Sequence, residues 1–418
     1  MRRVELAPRS IAEYEGLIGQ DAIAEIERLG ESLRGARVLH LNATAYGGGV
    51  AEMMPSLIPL MCGLGLRAEW YVLSGGNDFF NLTKSLHNGL QGMDVRLDAP
   101  HRQLYLRTLE DNLEPLAQDW DFVVVHDPQP AGLVALLNGR RTGRWIWRCH
   151  IDTSTPSPAA VDFLAPYLSS YDLAIYTLPT YVTRGLNQVR TEFVAPSIDP
   201  LVPKNQSLAG PLAREILASR FAIDPDRPLM VQVSRYDPWK DPLGVIDVYR
   251  LLKPRHPNLQ LALVGNLADD DPEGRIYHAR TLEHAGDDPD IHVLSTLDRL
   301  SRNPLRHALE VNAFQSGADV VVQKSTREGF GLVVTEALWK QAAVVAGRVG
   351  GITQQIEDGR NGFLVDSAEG CASRVELLLA RPALRREVGR RARETVRTRF
   401  LTPRHLRDYL RIFRSLVN

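Results

Sequence analysis

The chain has 418 residues, which suggests two or three domains, and 44% of them are hydrophobic, which is enough for sizeable cores. Its 49 Lys and Arg balance 50 Asp and Glu, so nothing in the charge points to a nucleic acid or an anionic membrane as a partner. No signal-peptide core and no apolar run of about 18 residues occurs, and the three widely spaced cysteines fit reduced thiols. We therefore expect a cytoplasmic protein without a membrane partner.

Short apolar runs alternate with helical patterns through the first half of the chain. Residues 11–34 are predicted to form a helix, and residues 37–42 the first buried strand. Three glycines at 47–49 separate that strand from a helix that begins at 50–54. Further strands are predicted at 69–73, 122–126, 145–150 and 173–177. This alternation is typical of an α/β fold with a parallel sheet covered by helices on both faces.

The alternation stops at residues 196–228, where prolines cluster, and we place the interdomain region there. A second alternating series follows, with strands predicted at 228–234, 261–265, 291–294, 319–323 and 344–346. The sequence therefore predicts two successive α/β domains.

Two carboxylates, Glu328 and Glu336, stand eight positions apart after the strand predicted at 319–323. The residues between them form a Gly-containing turn that leads into a helix, so backbone N–H groups would lie at a helix N-terminus, where an anion is stabilised. The carboxylates are too far apart to share a proton, and we expect them to accept hydrogen bonds from hydroxyls at two points of one elongated ligand. An anion with hydroxyls on both sides describes a sugar nucleotide.

Two cations, Arg235 and Lys240, follow the strand predicted at 228–234. Arg offers a planar fork of donors and Lys a mobile point charge, a combination that suits a diphosphate. In open α/β sheets, ligands bind at the carboxyl ends of the strands. Together with the glutamate turn, this pair predicts a site for a nucleoside diphosphate sugar.

Three features of the first half are further candidates. The loop that contains Gly48 and Gly49 lacks side chains, so its amides could approach a phosphate or sugar closely. His150 ends a predicted strand and could donate to a sugar hydroxyl or stabilise charge at the anomeric centre. His126 and Asp127 also end a strand and could line an acceptor pocket, although Asp-Pro could instead simply form the turn.

At Arg235, Lys240, Glu328 and Glu336 the chain resembles the retaining glycosyltransferases of the GT-B type, also called group 1. The resemblance implies that the two cations clamp the donor diphosphate, that Glu328 holds the transferred sugar and that Glu336 holds the ribose. The remaining donor-binding residues implied are Gly329, Phe330, Gly331, Leu332 and the strand-end Asn266.

The resemblance also implies the GT-B architecture, in which two Rossmann-like domains with parallel sheets face each other across a cleft. Residues 1–200 would form the acceptor domain and residues 201–400 the nucleotide-sugar domain. Residues 401–418 would form a C-terminal helix that crosses back to the first domain.

Motifs at residues 42–52, 126–130, 145–152 and 195–200 resemble, more specifically, the trehalose glycosyltransferring synthases. Those enzymes join the glucose of a nucleoside-diphosphate glucose to free glucose, giving α,α-trehalose with retention. By this resemblance His150 is catalytic, Gly48 and Gly49 contact the donor, Asp127 and Asp152 contact the acceptor, and a homodimer is expected. No metal or other cofactor is expected, since Arg235 and Lys240 take the place of a metal ion and the aspartates at 269–271 suggest a solvated loop.

Several alternatives stay open at this point. Retaining trehalose phosphorylases share much of the pattern, and another GT-B transferase with a different acceptor is also compatible with it. An inactive sugar-nucleotide sensor is disfavoured by the intact charged motif, and a dehydrogenase by the absence of G-x-G-x-x-G after the first strand. The choice among UDP, ADP and GDP is left undecided.

Overall fold

The chain divides into two compact units in its computed structural model, which describes residues 1–137, 139–187, 189–267 and 272–417. The first unit comprises Met1–Ser197 and Thr402–Asn418, and the second comprises Ile198–Leu401. Among the described residues, each unit is built on one β-sheet with helices packed against it.

The sheet of the first unit has seven strands within the described part of the chain, in the order β1-β3-β2-β4-β5-β6-β7. Only the short edge strand β1 is antiparallel to its neighbour, β3, in this sheet as described. The strands are β1 Arg2–Arg3, β2 Arg37–Asn42, β3 Arg67–Val72, β4 Phe122–His126, β5 Arg144–Arg148, β6 Leu173–Tyr176 and β7 Arg190–Phe193.

Helices α1 to α7 belong to the first unit. They are α1 Glu15–Ile18, α2 Gln20–Glu31, α3 Gly49–Gly63, α4 Asn77–Leu90, α5 Ala99–Glu110, α6 Leu133–Leu136 and α7 Pro158–Leu168, with 3-10 turns at Ile11–Tyr14, Glu114–Ala117 and Pro179–Tyr181. The single helix predicted over residues 11–34 is wrong. The chain forms a 3-10 turn and two helices instead, because Gly19 adopts a φ of 82° between them.

The described sheet of the second unit has six parallel strands in the order β10-β9-β8-β11-β12-β13. The strands are β8 Leu229–Val233, β9 Gln260–Gly265, β10 Ile291–Ser295, β11 Val320–Gln323, β12 Val344–Gly347 and β13 Phe363–Val365. The helices are α8 Gly210–Phe221, α9 Pro242–Leu252, α10 Pro272–Ala285, α11 Pro304–Gly317, α12 Leu332–Trp339, α13 Ile352–Gln355, α14 Ala368–Ala380 and α15 Pro382–Arg399, with a 3-10 turn at Pro238–Lys240.

Each sheet follows the rule for parallel sheets covered on both faces. Strands β2, β4 and β8 are almost entirely buried along their length, so they carry apolar runs rather than an alternating pattern. Since the crossover helices return the chain to the same side, the carboxyl ends of parallel strands share one edge of each sheet. That edge is where the candidate site residues lie in both units.

The final helix, α16 Thr402–Val417, packs in the first unit against α2 and α3. Its buried face includes Leu406, Tyr409, Leu410 and Phe413, and the ring of Phe413 stacks on Phe122 of β4 with centroids 4.4 Å apart. The hydrophobic effect thus fixes the end of the chain to the sheet of the first unit.

The interdomain region expected at residues 196–228 is folded over part of its length, since α8 lies inside it. Pro211 stands in the first turn of that helix, where proline is tolerated, so the proline cluster did not exclude a helix there.

Within the described residues, no helix is long and apolar enough to cross a membrane.

Candidate active site

The loops that follow β8 and β11 are joined in the second unit, because these two strands are neighbours in the sheet. The amide of Thr326 donates to the carbonyl of Trp239 over 2.8 Å. The ammonium of Lys240 lies 2.6 Å from Oε2 of Glu328, and both side chains are largely buried. Two residues 88 positions apart in sequence thus form one ion pair at the edge of the sheet.

Arg235 differs from Lys240 in its exposure. Its side chain is 63% exposed, and Nη2 lies 3.2 Å from Oδ2 of Asp237. The other carboxylate oxygen of Asp237 accepts the backbone N–H of Lys240 over 3.0 Å, which caps the short 3-10 turn between them. The turn therefore orients Lys240 through the backbone, while the guanidinium of Arg235 extends into solvent.

Contacts with the segment around α13 hold the glycine-containing turn that precedes α12. Gly331 caps α12 with a φ of 85°, a conformation that favours glycine. The side-chain amide of Gln355 donates to the carbonyl of Phe330 over 2.5 Å. A Cβ on Gly351 would lie 2.5 Å from Cα of Phe330, so only glycine allows this close approach. The amides at the start of α12 are consequently fixed in place.

Glu336 lies inside α12 and is 1% exposed. The helix begins at Leu332, and its residues from Val334 to Trp339 are all buried. Oε1 of Glu336 lies 2.8 Å from the ammonium of Lys204. Sequence analysis did not single out Lys204, which has no motif around it, and only the folded chain brings this lysine to the glutamate.

Asn266 follows β9 and is exposed. Its side-chain oxygen accepts a hydrogen bond from the hydroxyl of Thr296 over 3.0 Å. The adjacent Gly265 has Tyr236 packed directly on its backbone, since a Cβ there would lie 2.4 Å from the tyrosine ring. The strand-end turn and the loop that carries Arg235 are thereby packed together.

In the first unit, the glycine loop leads from β2 into α3. Gly47 and Gly48 adopt φ values of 70° and 104°, and Gly48 is the N-cap of α3, whose first residue is Gly49. A Cβ on Gly47 or Gly48 would meet no heavy atom within 4 Å, so backbone conformation rather than space requires these glycines. Neighbouring Tyr46 is 78% exposed.

Asp127 and His150 are brought together just beyond β4 and β5. Oδ1 of Asp127 accepts the backbone N–H of His150 over 2.7 Å. Burial raises the pKa of Asp127 to about 7, although the hydrogen bond from His150 and the charge of Arg148 oppose that rise. Asp127 adopts a φ of 62°, which is uncommon for a residue other than glycine and marks a constrained turn. His150 lies two residues past the end of β5, not within the strand as predicted.

Asp152, in contrast, accepts hydrogen bonds within its own turn. Its Oδ1 accepts the backbone N–H of Ser154 over 3.0 Å and the hydroxyl of Ser154 over 2.6 Å. The side chain is buried, at 5% exposure. These contacts give Asp152 a local role in shaping the loop after His150.

His40 is a member of this site that sequence analysis missed. It lies in β2, is fully buried and places Nδ1 3.0 Å from Nε2 of His126. Nδ1 of His126 in turn lies 3.0 Å from Nε2 of His150. The available signal was a histidine inside an otherwise apolar strand, Val38-Leu39-His40-Leu41, that is buried on both faces.

Among the described residues, no group of three or more His, Cys, Asp or Glu side chains could hold a metal ion. The aspartates at 269–271, for which a solvated loop was predicted, lie outside the described residues.

Two family models and several solved structures match this chain and indicate its class of protein. Residues 213–395 match the model of the glycosyl transferases group 1, and residues 40–183 match that of the trehalose synthase N-terminal domain. Solved structures of a sucrose-phosphate synthase from Thermosynechococcus elongatus and an α,α-trehalose 6-phosphate synthase from Burkholderia multivorans share the fold, each with a TM-score of 0.69. Their sequences are 17% and 16% identical to this one. The matches cover 91% and 92% of this chain and 99% of each solved chain. The protein is a GT-B glycosyltransferase that transfers a hexose.

Proteins with similar sequences identify the family to which this glycosyltransferase belongs. A trehalose synthase of Rubrobacter xylanophilus is 49% identical over 100% of this chain and 99% of its own. A trehalose synthase of Pyrococcus horikoshii is 43% identical over 98% of this chain and 97% of its own. A trehalose phosphorylase of Pleurotus pulmonarius is 28% identical, and the match spans 87% of this chain but 54% of that protein. The chain belongs to the trehalose synthase family.

Proposed function

We propose that this protein makes α,α-trehalose from a nucleoside-diphosphate glucose and free glucose, with retention at the donor carbon and without a metal ion. The observation that carries the proposal is the ion pair of Lys240 with Glu328, with 2.6 Å between nitrogen and oxygen, beside the amides at the start of α12. The trehalose synthases among its relatives support the choice of product.

The second unit has the chemistry needed to hold the donor. Lys240 and Arg235 supply two positive charges to a diphosphate, and the fixed turn at Gly331 supplies backbone donors. Glu328 accepts from a hydroxyl of the glucosyl group, and Glu336 accepts from the ribose. Lys240 pairs with Glu328 and Lys204 pairs with Glu336, so a bound donor would replace some of these contacts.

Chemically, the bond between the anomeric carbon and the β-phosphate oxygen breaks on the same face at which the new bond to the glucose hydroxyl forms. The departing phosphate oxygen accepts the proton of that hydroxyl, so no separate base is required. Arg235 and Lys240 stabilise the charge that develops on the diphosphate, which is the role of cations oriented toward a leaving group.

We assign recognition of the sugars in the first unit to Asp127 and His150, whose loops are joined by the 2.7 Å hydrogen bond. His150 would donate to a hydroxyl of the transferred glucose. A site that hydrogen-bonds each hydroxyl rejects analogues that lack one, which is the basis of selectivity for glucose.

The experiment is a pair of incubations with product identification by NMR. The first contains UDP-, ADP- or GDP-glucose with glucose, with and without EDTA, and the expected product is α,α-trehalose in both conditions. The second contains trehalose with inorganic phosphate, and no glucose 1-phosphate is expected. Glucose 1-phosphate in the second tube without trehalose in the first would overturn the proposal in favour of a phosphorylase. Loss of all activity with EDTA, restored by Mg²⁺, would overturn the metal-independent part.

A further inference from the structure

Three histidines of the first unit, two in neighbouring strands and one just past a third strand, form a continuous chain of hydrogen bonds. Nδ1 of His40 lies 3.0 Å from Nε2 of His126, and Nδ1 of His126 lies 3.0 Å from Nε2 of His150. The rings stack in both pairs with centroids 5.3 Å apart. Because β4 lies between β2 and β5 in the sheet, His126 bridges the other two.

The three rings are neutral at physiological pH. His40 is 0% exposed and His126 is 1% exposed. Burial lowers the pKa of His40 to about 3. Burial also holds the pKa values of His126 and His150 well below the ordinary value, and the charge of Arg148 adds to the effect. Each ring therefore carries one N–H and one lone pair.

A chain of neutral imidazoles has two possible hydrogen-bond directions. Every hydrogen bond needs one N–H and one lone pair, so the protons of all three rings must point the same way. In the outward arrangement every Nδ1 carries the proton, and Nδ1 of His150, which no described residue engages, becomes a donor. In the inward arrangement every Nε2 carries the proton, and the last N–H lies on His40.

The surroundings of His40 favour the outward arrangement. Its Nε2 is buried and has no hydrogen-bond partner among the described residues, so an N–H there would be unsatisfied. The ring of Tyr409 lies 5.9 Å away, and its hydroxyl interacts with the guanidinium of Arg148. The hydroxyl of Tyr409 makes no hydrogen bond to His40 among the described residues, so it does not accept an N–H from Nε2.

The remaining groups of α16 near this cluster are Arg404 and His405. Nδ1 of His405 lies 2.9 Å from the hydroxyl of Ser197, and Arg404 donates to the carbonyl of Ala195. Nε2 of His405 is buried and makes no hydrogen bond to His40 among the described residues, and neither Arg404 nor His405 supplies a carboxylate that could accept an N–H from His40.

We propose that His40 and His126 are positioning residues that keep the proton of His150 on Nδ1, so that His150 presents an N–H donor to a hydroxyl of the sugar substrate. The assignment of the sugar rests on the proposed function, whereas the direction of the chain does not. The nitrogen that carries the proton in a histidine is set by the hydrogen bond made by the other one, and here that control passes through two rings.

The first test is NMR of protein labelled with ¹⁵N-histidine, with His150 assigned by its absence from the spectrum of His150→Gln. The expected spectrum shows His150 protonated at Nδ1 and unprotonated at Nε2. A proton on Nε2, or a mixture of both tautomers in the wild-type protein, would overturn the proposal. This measurement needs no activity, so it decides the question even if the protein transfers no glucose.

The second test separates positioning from folding. His40→Leu removes the first donor and should mix the tautomers of His150 and lower kcat by about tenfold or more, with a smaller change in the KM of the donor. His40→Asn keeps a hydrogen-bonding group at the position of Nδ1 and should restore most of kcat. Val38→Ala, a buried change in the same strand, is the control and should alter neither. An unchanged tautomer of His150 in His40→Leu would refute the positioning role of His40, whatever happens to kcat.

Discussion

Replacing His40 with asparagine should change how the stability of the first unit depends on pH. Burial lowers the pKa of His40 from 6.5 to about 3 in the folded protein. Between those values the unfolded chain binds a proton at this residue and the folded chain does not, so acidification favours unfolding. Asparagine does not titrate, and the His40→Asn variant lacks this contribution.

The magnitude follows from the two pKa values. At pH 7 the unfolded histidine gains about 0.2 kcal/mol from protonation, and at pH 5 about 2 kcal/mol, while the folded histidine gains almost nothing at either pH. The wild-type protein should therefore lose about 2 kcal/mol relative to His40→Asn between pH 7 and pH 5. Contributions of groups that do not contact His40, including the opposite one from the raised pKa of Asp127, occur in both proteins and cancel in the difference.

Hydrogen exchange measured by mass spectrometry is the appropriate assay, because a protein with two compact units need not unfold in one step. Peptides that cover β2 and β4 report the opening of the first unit, and their exchange rates give its free energy at each pH. Val38→Ala should lower stability by the same amount at pH 5 and pH 7. If the difference between wild type and His40→Asn changed by less than about 0.5 kcal/mol, the buried neutral state of His40 would be refuted.

Two further predictions concern the donor site. Arg235→Ala and Lys240→Ala should each lower kcat by about a hundredfold or more, because each removes a cation from the leaving diphosphate, and kinetics within about twofold of wild type for both would contradict the clamp. Lys253→Ala, which removes the lysine of an ion pair elsewhere in the same unit, is the control and should retain wild-type kinetics. Glu328→Gln should mainly lower kcat, since its sugar contact orients the anomeric carbon. Glu336→Gln should mainly weaken binding of free nucleoside diphosphate in calorimetry, and equal losses in both variants would mean that the two ends of the donor were wrongly assigned.

Strands with strong local signals were predictable from sequence. Strands β2, β4 and β8 are apolar runs bounded by polar residues, and their predicted positions lie within one residue of those observed. Strands β1, β7 and β13 were not predicted. Residues of β7 are exposed or half-buried, and β1 and β13 have two and three residues, so none of the three has the long apolar run that marks a buried strand.

The sequence by itself determined which charged residues follow which strands, because the apolar run, its polar end and the glycine after it are all local signals. It placed Lys240 after β8 and Glu328 after β11, and family resemblance supplied their expected roles. Only the tertiary structure decided that β8 and β11 are neighbours, which brings Lys240 to 2.6 Å from Glu328. Strand order depends on the packing of the whole unit, and no local pattern encodes it.

The three linked histidines likewise combine features that the sequence determines with contacts that only the tertiary structure decides. The sequence determined that His126 and His150 stand at or just past strand ends, and that His40 lies inside an apolar strand. The contacts among them depend on the order β2-β4-β5 and on a register that aligns the three rings. Likewise, Lys204 reaches Glu336 only in the folded second unit. Hydrogen bonds between side chains distant in sequence are set by tertiary packing, since they require both partners to be held within about 3 Å by elements that fold separately along the chain.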